Sequence, residues 1–146
     1  MHSLAAVLLL AVVLQQAPAG EGLGEEQARA AANVFGTALT RGDSGLLVSI
    51  LPTKGKVRTR LGCLSPEEGV FSPGQVQALF SDFLRQGTVR QFTVTRVDHS
   101  PGSHAFVRTE AEIVDPERRP RRVEIHLTFH AEEGRWILRE VRASPP

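Results

Sequence analysis

RQFTVTRVDH, HAFVRTEAEIV, RRVEIHLTFH and RWILREVR, all beyond Thr88, alternate apolar and polar residues with a period of two. That is the mark of strands with one buried and one wet face. Between them stand Ser100-Pro101-Gly102-Ser103, a proline-bounded stretch from Asp115 to Pro120, and Glu132-Glu133-Gly134. Connections this short join neighbouring antiparallel strands, so the second half of the chain predicts a meander. A sheet with one greasy face needs a cover, and the rest of the sequence must supply it.

The cover is helical. In Glu25 to Thr40, Ala28, Ala31, Ala32, Phe35 and Leu39 fall at the three-and-four spacing of one helix face, and Gly42 follows as a stop. Asp43 or Ser44 caps a short second helix carrying Leu46, Leu47, Ile50 and Leu51, ended by Pro52. KGKVRTRL then alternates, with Lys54, Lys56, Arg58 and Arg60 opposite Val57, Thr59 and Leu61, as a half-buried strand does. After a loop comes FSPGQVQALFSDFL. Ser72 is its N-cap, Pro73 takes the first helical position and Gln75 completes a capping box. Phe71 and Val76 form a hydrophobic staple, Val76, Leu79, Phe80, Phe83 and Leu84 form the buried stripe, and Gly87 ends the helix.

Turn geometry sets a trial register for the meander. A three-residue loop ending at Gly134 puts Ala131 opposite Arg135 and Phe129 opposite Ile137. Val114 opposite Arg122 puts Ile113 against Val123 and Ala111 against Ile125; His99 opposite His104 puts Phe92 against Ala111 and Val94 against Thr109. Together these send Phe92, Val94, Ala111, Ile113, Val123, Ile125, Leu127, Phe129, Ile137 and Val141 to one face.

The first residues, MHSLAAVLLLAVVLQQAPAG, hold an apolar run from Leu4 to Leu14 and the small-x-small pattern Ala17-Pro18-Ala19. Residues 1–19 therefore read as a signal peptide, too short to span a bilayer, which takes about 20 apolar residues. Its n-region has no Lys or Arg. The expected product is exported, periplasmic or extracellular, with no stable membrane anchor. Residues 20–146 are enough for one domain. The lone Cys63 allows no internal disulfide. Lys plus Arg is 17 against 16 for Asp plus Glu, so no overall field recruits nucleic acid or an anionic membrane. The strips Lys54 to Arg60 and Arg118 to Arg122 contain no interleaved aromatic residue to stack on bases.

The order helix, short helix, strand, capped helix and four antiparallel strands resembles the nuclear transport factor 2-like superfamily. Phe71-Ser72, Asp82-Phe83-Leu84 and Val89-Arg90-Gln91-Phe92 look especially like short exported bacterial proteins of unknown function within it. The resemblance implies an α+β, cone-shaped fold in which N-terminal helices pack on a strongly curved antiparallel sheet. It also implies frequent pairing of two copies through the outer sheet face. Activity does not follow, since the superfamily hosts enzymes, binding proteins and assembly modules.

Two residue sets then become candidates. The trial register sends Arg96, Asp98, Thr109 and Arg139 to the covered face, where charges are costly unless paired or solvated. They form a candidate ligand-binding set, an anion held by Arg96 and Arg139 with Asp98 orienting; the competing reading pairs Arg96 with Asp98 at the rim and lets Arg139 snorkel to water. On the opposite face Phe106, His130 and Trp136 fall in one row, with Arg108, Thr128 and Leu138 in the next. Phe106, His130, Trp136 and Leu138 are the candidate interface, with a second copy as the simplest partner.

Other chemistry finds little support. His126 and His130 are roughly 13 Å apart along a strand, too far for one metal ion. His99 and His104 flank an exposed turn and read as solvated, so no metal is expected. Neither a Gly-rich phosphate loop nor a nucleophile elbow nor a supported Cys-His pairing is present, and no cofactor is implied. The expectation is a non-catalytic, homodimeric ligand-binding or protein-interaction module. The alternative is a small lyase or isomerase with Asp98 as acid or base inside the cone, as in some enzymes of the superfamily.

Overall fold

The computed structural model describes residues 23–62 and 64–146; the candidate signal peptide and Cys63 lie outside the described residues. Helix α1 (Glu25–Arg41) and a 3-10 turn (Ser44–Ser49) precede strands β1 (Val57–Arg60) and β2 (Glu68–Phe71). Helix α2 (Pro73–Gln86) then leads to β3 (Thr88–Ser100), β4 (His104–Val114), β5 (Pro120–Glu132) and β6 (Arg135–Ser144). The sheet order is β2-β1-β6-β5-β4-β3, antiparallel throughout except for β1 against β6. Helices on one side of a mostly antiparallel sheet make this an α+β fold. Among the described residues no helix is long and apolar enough to cross a membrane.

Each helix is delimited by its caps. In α1 the Gln27 Oε1 accepts a hydrogen bond from the Gly24 N–H at 3.0 Å, and Glu25 and Glu26 meet the positive end of the helix dipole. Gly42, at φ 66°, closes the other end. In α2 the reciprocal box forms as expected: Gln75 N–H donates to Ser72 Oγ at 3.3 Å, and Ser72 N–H to Gln75 Oε1 at 2.9 Å. Val76 and Phe80 are buried, while Leu79, Phe83 and Leu84 are half-buried. Strand β2 lies in a stretch expected as loop, because EGVF is too short for an alternation to show. It forms only by pairing with β1, Val57 with Phe71 through Arg60 with Glu68.

The buried cluster lies between α1 and the sheet. Phe35 meets Phe80 edge-on, with ring centroids 5.4 Å apart and planes at 89°, and Phe92 at 5.9 Å. Leu127 and Phe129 are buried beneath the helices, and Thr59 and Thr109 are the buried polar residues among those described. Gly36 lies against Phe92 so closely that a Cβ there would overlap the ring.

Bulges decide the register. Phe92 pairs with Ala111 and Val94 with Thr109, as expected, but irregularities between Val89 and Gln91 and between Val94 and Arg96 shift the pairing. Ala111 faces Val123 instead of Ile125, an offset that keeps every β5 side chain on its expected face. The last turn has two residues, Glu133 and Gly134, at φ 53° and 72°, the doubly left-handed form that matches strand twist. Phe129 consequently pairs with Leu138, and Ile137, expected inside, pairs with His130 outside the helix-covered cluster. Arg139 is the extra residue that restores the alternation, so that Leu127 meets Val141.

Replacing Gly36 by Ala tests the helix–sheet approach. Helix propensity alone favours Ala by about 0.5–1 kcal/mol, but overpacking costs about 1–3 kcal/mol. The expected result is a net loss of stability in urea unfolding, reversed in sign when Phe92 is also shortened to Leu.

Candidate functional site

Among the described residues no Asp, Glu or His side chain is buried inside the cone. The buried polar side chains among the described residues are two hydroxyls: Thr109 Oγ1 donates to the Ile125 carbonyl at 2.8 Å, and Thr59 Oγ1 has no partner among them. Arg96 and Asp98, expected on the covered face, lie on the other one, because the irregularity between Val94 and Arg96 reverses the alternation. They bond at 2.8 Å with side chains 65% and 58% exposed. This corrects the interior anion set and removes Asp98 from any position inside the cone. The pairing of Arg96 with Asp98 is as the competing reading had it, on a different face.

Arg139 is no ligand group in waiting either. As the extra residue of the β6 bulge it turns to the outer face and grips Glu132 through Nε at 2.6 Å and Nη2 at 2.5 Å. Its remaining donors reach the carbonyls of Lys56 at 3.1 Å and Lys54 at 3.2 Å. The guanidinium thus ties the chain before β1 to β5, with Gly55 close beside Nη1. Hydrogen bonding to Arg139 holds the Glu132 carboxyl below its usual range, and Glu132 raises Arg139 in return. The four expected ligand residues therefore do not converge. Arg96 with Asp98, Thr109, and Arg139 occupy three separate places.

The expected interface splits in the same way. Trp136 and Leu138 are buried under the helices; Trp136 pairs with Ala131, and its Nε1–H donates to the Gly24 carbonyl at 3.2 Å. The two-residue turn is the reason, since it moves both residues to the inner face. Phe106 and His130 do lie outside. Phe106 is 53% exposed, and His104 stacks beside it at 6.2 Å and 7°. His104 and His130, directly paired, meet edge-on at 4.5 Å. Burial first, then His104, pushes the His130 pKa down, which favours the neutral ring. His104 was not read as part of this cluster; its alternation with Phe106 on one strand was the available signal.

Further hollows are shallow. One of about 160 Å³ on the outer face is lined by Arg96, Asp98, Phe106, Arg108 and His126. Another of about 470 Å³ lies between α2 and the segment before β2, over Leu64, Phe71, Leu79 and Phe83. His126 bonds Glu124 at 3.3 Å, and no cluster of three or more metal-ligating side chains occurs among the described residues.

Solved structures with the same arrangement place the fold. A candidate dehydratase of the NTF2-like family from Streptomyces avermitilis superposes with a TM-score of 0.65 at 24% identity, over 84% of this chain and 95% of that one. The chain has the nuclear transport factor 2-like fold. A ketosteroid isomerase-like protein from Erwinia carotovora atroseptica shares this fold at a TM-score of 0.67 and 17% identity, over 84% of this chain and 97% of that one. A DUF4783 family protein from Bacteroides uniformis does so at 0.64 and 13%, over 78% and 95%. No protein-family model matches the chain, and no curated protein matches it. At these identities the nuclear transport factor 2-like fold is what the likeness carries, and chemistry does not travel with it.

The Arg139–Glu132 clamp is testable by stability. Arg139→Met is expected to lower stability by about 1–3 kcal/mol, the range for a charged hydrogen bond lost. Because the folded carboxyl of Glu132 titrates below its ordinary value of 4.5, its contribution is complete above that value and lost as pH falls through the lowered one. Glu132→Gln should flatten this acid limb of the stability–pH profile, measured by denaturant midpoints between neutral and acid pH.

Proposed function

We propose that this chain is an exported, non-catalytic interaction module that pairs with a second copy through the outer face of its sheet. The observation that supports it is the division of the two faces. The inner face is covered by helices and filled with apolar side chains, with two threonine hydroxyls as its buried polar groups. Every Asp, Glu and His on the sheet strands is outside or at a rim, and Phe106 stands exposed among them beside two histidines. An exposed aromatic ring flanked by polar groups is the composition of a protein contact.

General acid–base catalysis needs a titratable group within hydrogen-bond reach of a sequestered substrate. The lyase or isomerase alternative relied on Asp98, which is exposed and bonded to Arg96. A dehydratase or isomerase name on a neighbour of this fold therefore supplies no residue here. Export and the absence of a stable anchor belong to the same proposal and rest on the apolar run Leu4 to Leu14 with Ala17-Pro18-Ala19.

Sedimentation velocity across a concentration series tests the pairing. A dimer is expected, and Phe106→Ala should raise its dissociation constant by roughly tenfold or more, the scale of an interface anchor. Circular dichroism should stay unchanged, because the ring is half in water. A protein that is monomeric at all concentrations would remove the reading.

A further inference from the structure

The outer face carries its charges in rows that run across the strands. Direct pairing aligns Arg96 with Arg108, Arg108 with His126, His126 with Arg142, and Arg142 with Arg60, over β3, β4, β5, β6 and β1. Strands are about 4.8 Å apart, so this is one continuous basic row. Two residues further along β4 and β5, Glu110 pairs with Glu124, with the uncharged Thr93 and Ser144 beside them on β3 and β6. Like charges directly opposite each other on a sheet are destabilising. Neither the basic row nor the acidic pair stabilises the isolated chain.

Most members are neutralised by a neighbour on their own strand or the next. Arg96 bonds Asp98, His126 bonds Glu124, Arg142 approaches Glu140 at 3.9 Å, and Arg60 bonds Glu68 at 2.9 Å. On β4, Glu112 pairs with Arg90. Arg108 and Glu110 differ. They stand two apart on the same face of β4, and among the described residues neither has an opposite charge within 4.0 Å.

One occupant answers both charges at once. Rotation by half a turn about an axis lying across the strands, midway between the basic row and the acidic pair, sets a second sheet face to face with the first. It lays Arg108 and His126 of each copy over Glu110 and Glu124 of the other. Stacked sheets sit about 10 Å apart, well within the combined reach of an Arg and a Glu side chain. We propose that Arg108 of each copy binds Glu110 of the other, so that this reciprocal pair sets the register of the dimer. The inference rests on the outer-face pairing above and adds the specificity-determining residues. Crossing of twisted sheets at about −30° splays the outer members of the basic row, which leaves the pair nearest the axis in control. The same rotation brings Phe106, next along this face of β4, over the partner's Glu112.

The test is a charge exchange read by sedimentation velocity at low salt. Arg108→Glu alone and Glu110→Arg alone each place like charges across the axis, and each should raise the dimer dissociation constant by about tenfold or more. Mixing the Arg108→Glu chain with the Glu110→Arg chain should produce a heterodimer at least as tight as the wild-type dimer. Rescue in the mixture cannot come from contacts within one chain. Both side chains are exposed, so unchanged circular dichroism and melting temperature certify the variants. A wild-type dimer indifferent to both single changes, or a mixture that stays monomeric, overturns the reciprocal pair and leaves outer-face pairing standing. A wild-type protein that is monomeric while Phe106→Ala changes nothing overturns the underlying reading as well.

Discussion

Phe35 holds the two layers of this protein together. It projects from the middle of α1 and touches Phe80 of α2 edge-on and Phe92 of β3 at a tilt, so a single ring joins both helices to the sheet. Small residues make that reach possible. Ala28, Ala31 and Ala32 keep the buried face of α1 low, and Gly36 lets Phe92 lie directly against the helix backbone. Everything else inside is arranged around that contact, from Leu39 and Val76 to Leu127 and Phe129. Close packing of this kind fills the space that a ligand would otherwise need.

A second constraint acts on the sheet. A strand side chain has two directions available, and one extra residue exchanges them. Three irregularities do so here: two in β3 and one at Arg139 of β6. The one beyond Val94 carries Arg96 and Asp98 out of the cone. The one at Arg139 separates Leu138, which is inside, from the outward guanidinium that secures the chain before β1. The irregularities beyond Val94 and at Arg139 each remove a charge from the core and hand it to the outer face, and the one beyond Val89 keeps Phe92 inside. The interior can then be almost wholly apolar, although the sequence carries charged residues all along these strands.

The consequence is a division of labour between faces. Nuclear transport factor 2-like folds are compatible with reaction chambers when polar groups point inward, but the fold does not require it. Here the inner face buries the apolar cluster, and the outer face exposes Phe106 beside His104 and His130 together with the charged side chains of the strands. Arg108 and Glu110, which have no opposite charge within 4.0 Å among the described residues, are what the proposed second copy would answer.

Much of the framework was legible before any coordinates. Both long helices, the Gly42 stop of the first and the capping box of the second, the buried stripe from Ala28 to Leu39 and the four long strands follow from local rules, because capping boxes and period-two alternation act over a few residues. The inner residues Phe92, Ala111, Val123, Ile125, Leu127 and Phe129 follow from that pattern too, while the α+β cone is what the resemblance to the nuclear transport factor 2-like superfamily implies. What tertiary structure alone decided was the side on which Arg96, Asp98, Trp136, Ile137, Leu138 and Arg139 emerge, and that β2 exists at all. Bulges and a two-residue turn at Glu133-Gly134 leave almost no local signature. They are chosen by sheet twist and by the packing of distant elements, so a residue's face, and with it the candidate site, is a property of the assembled sheet.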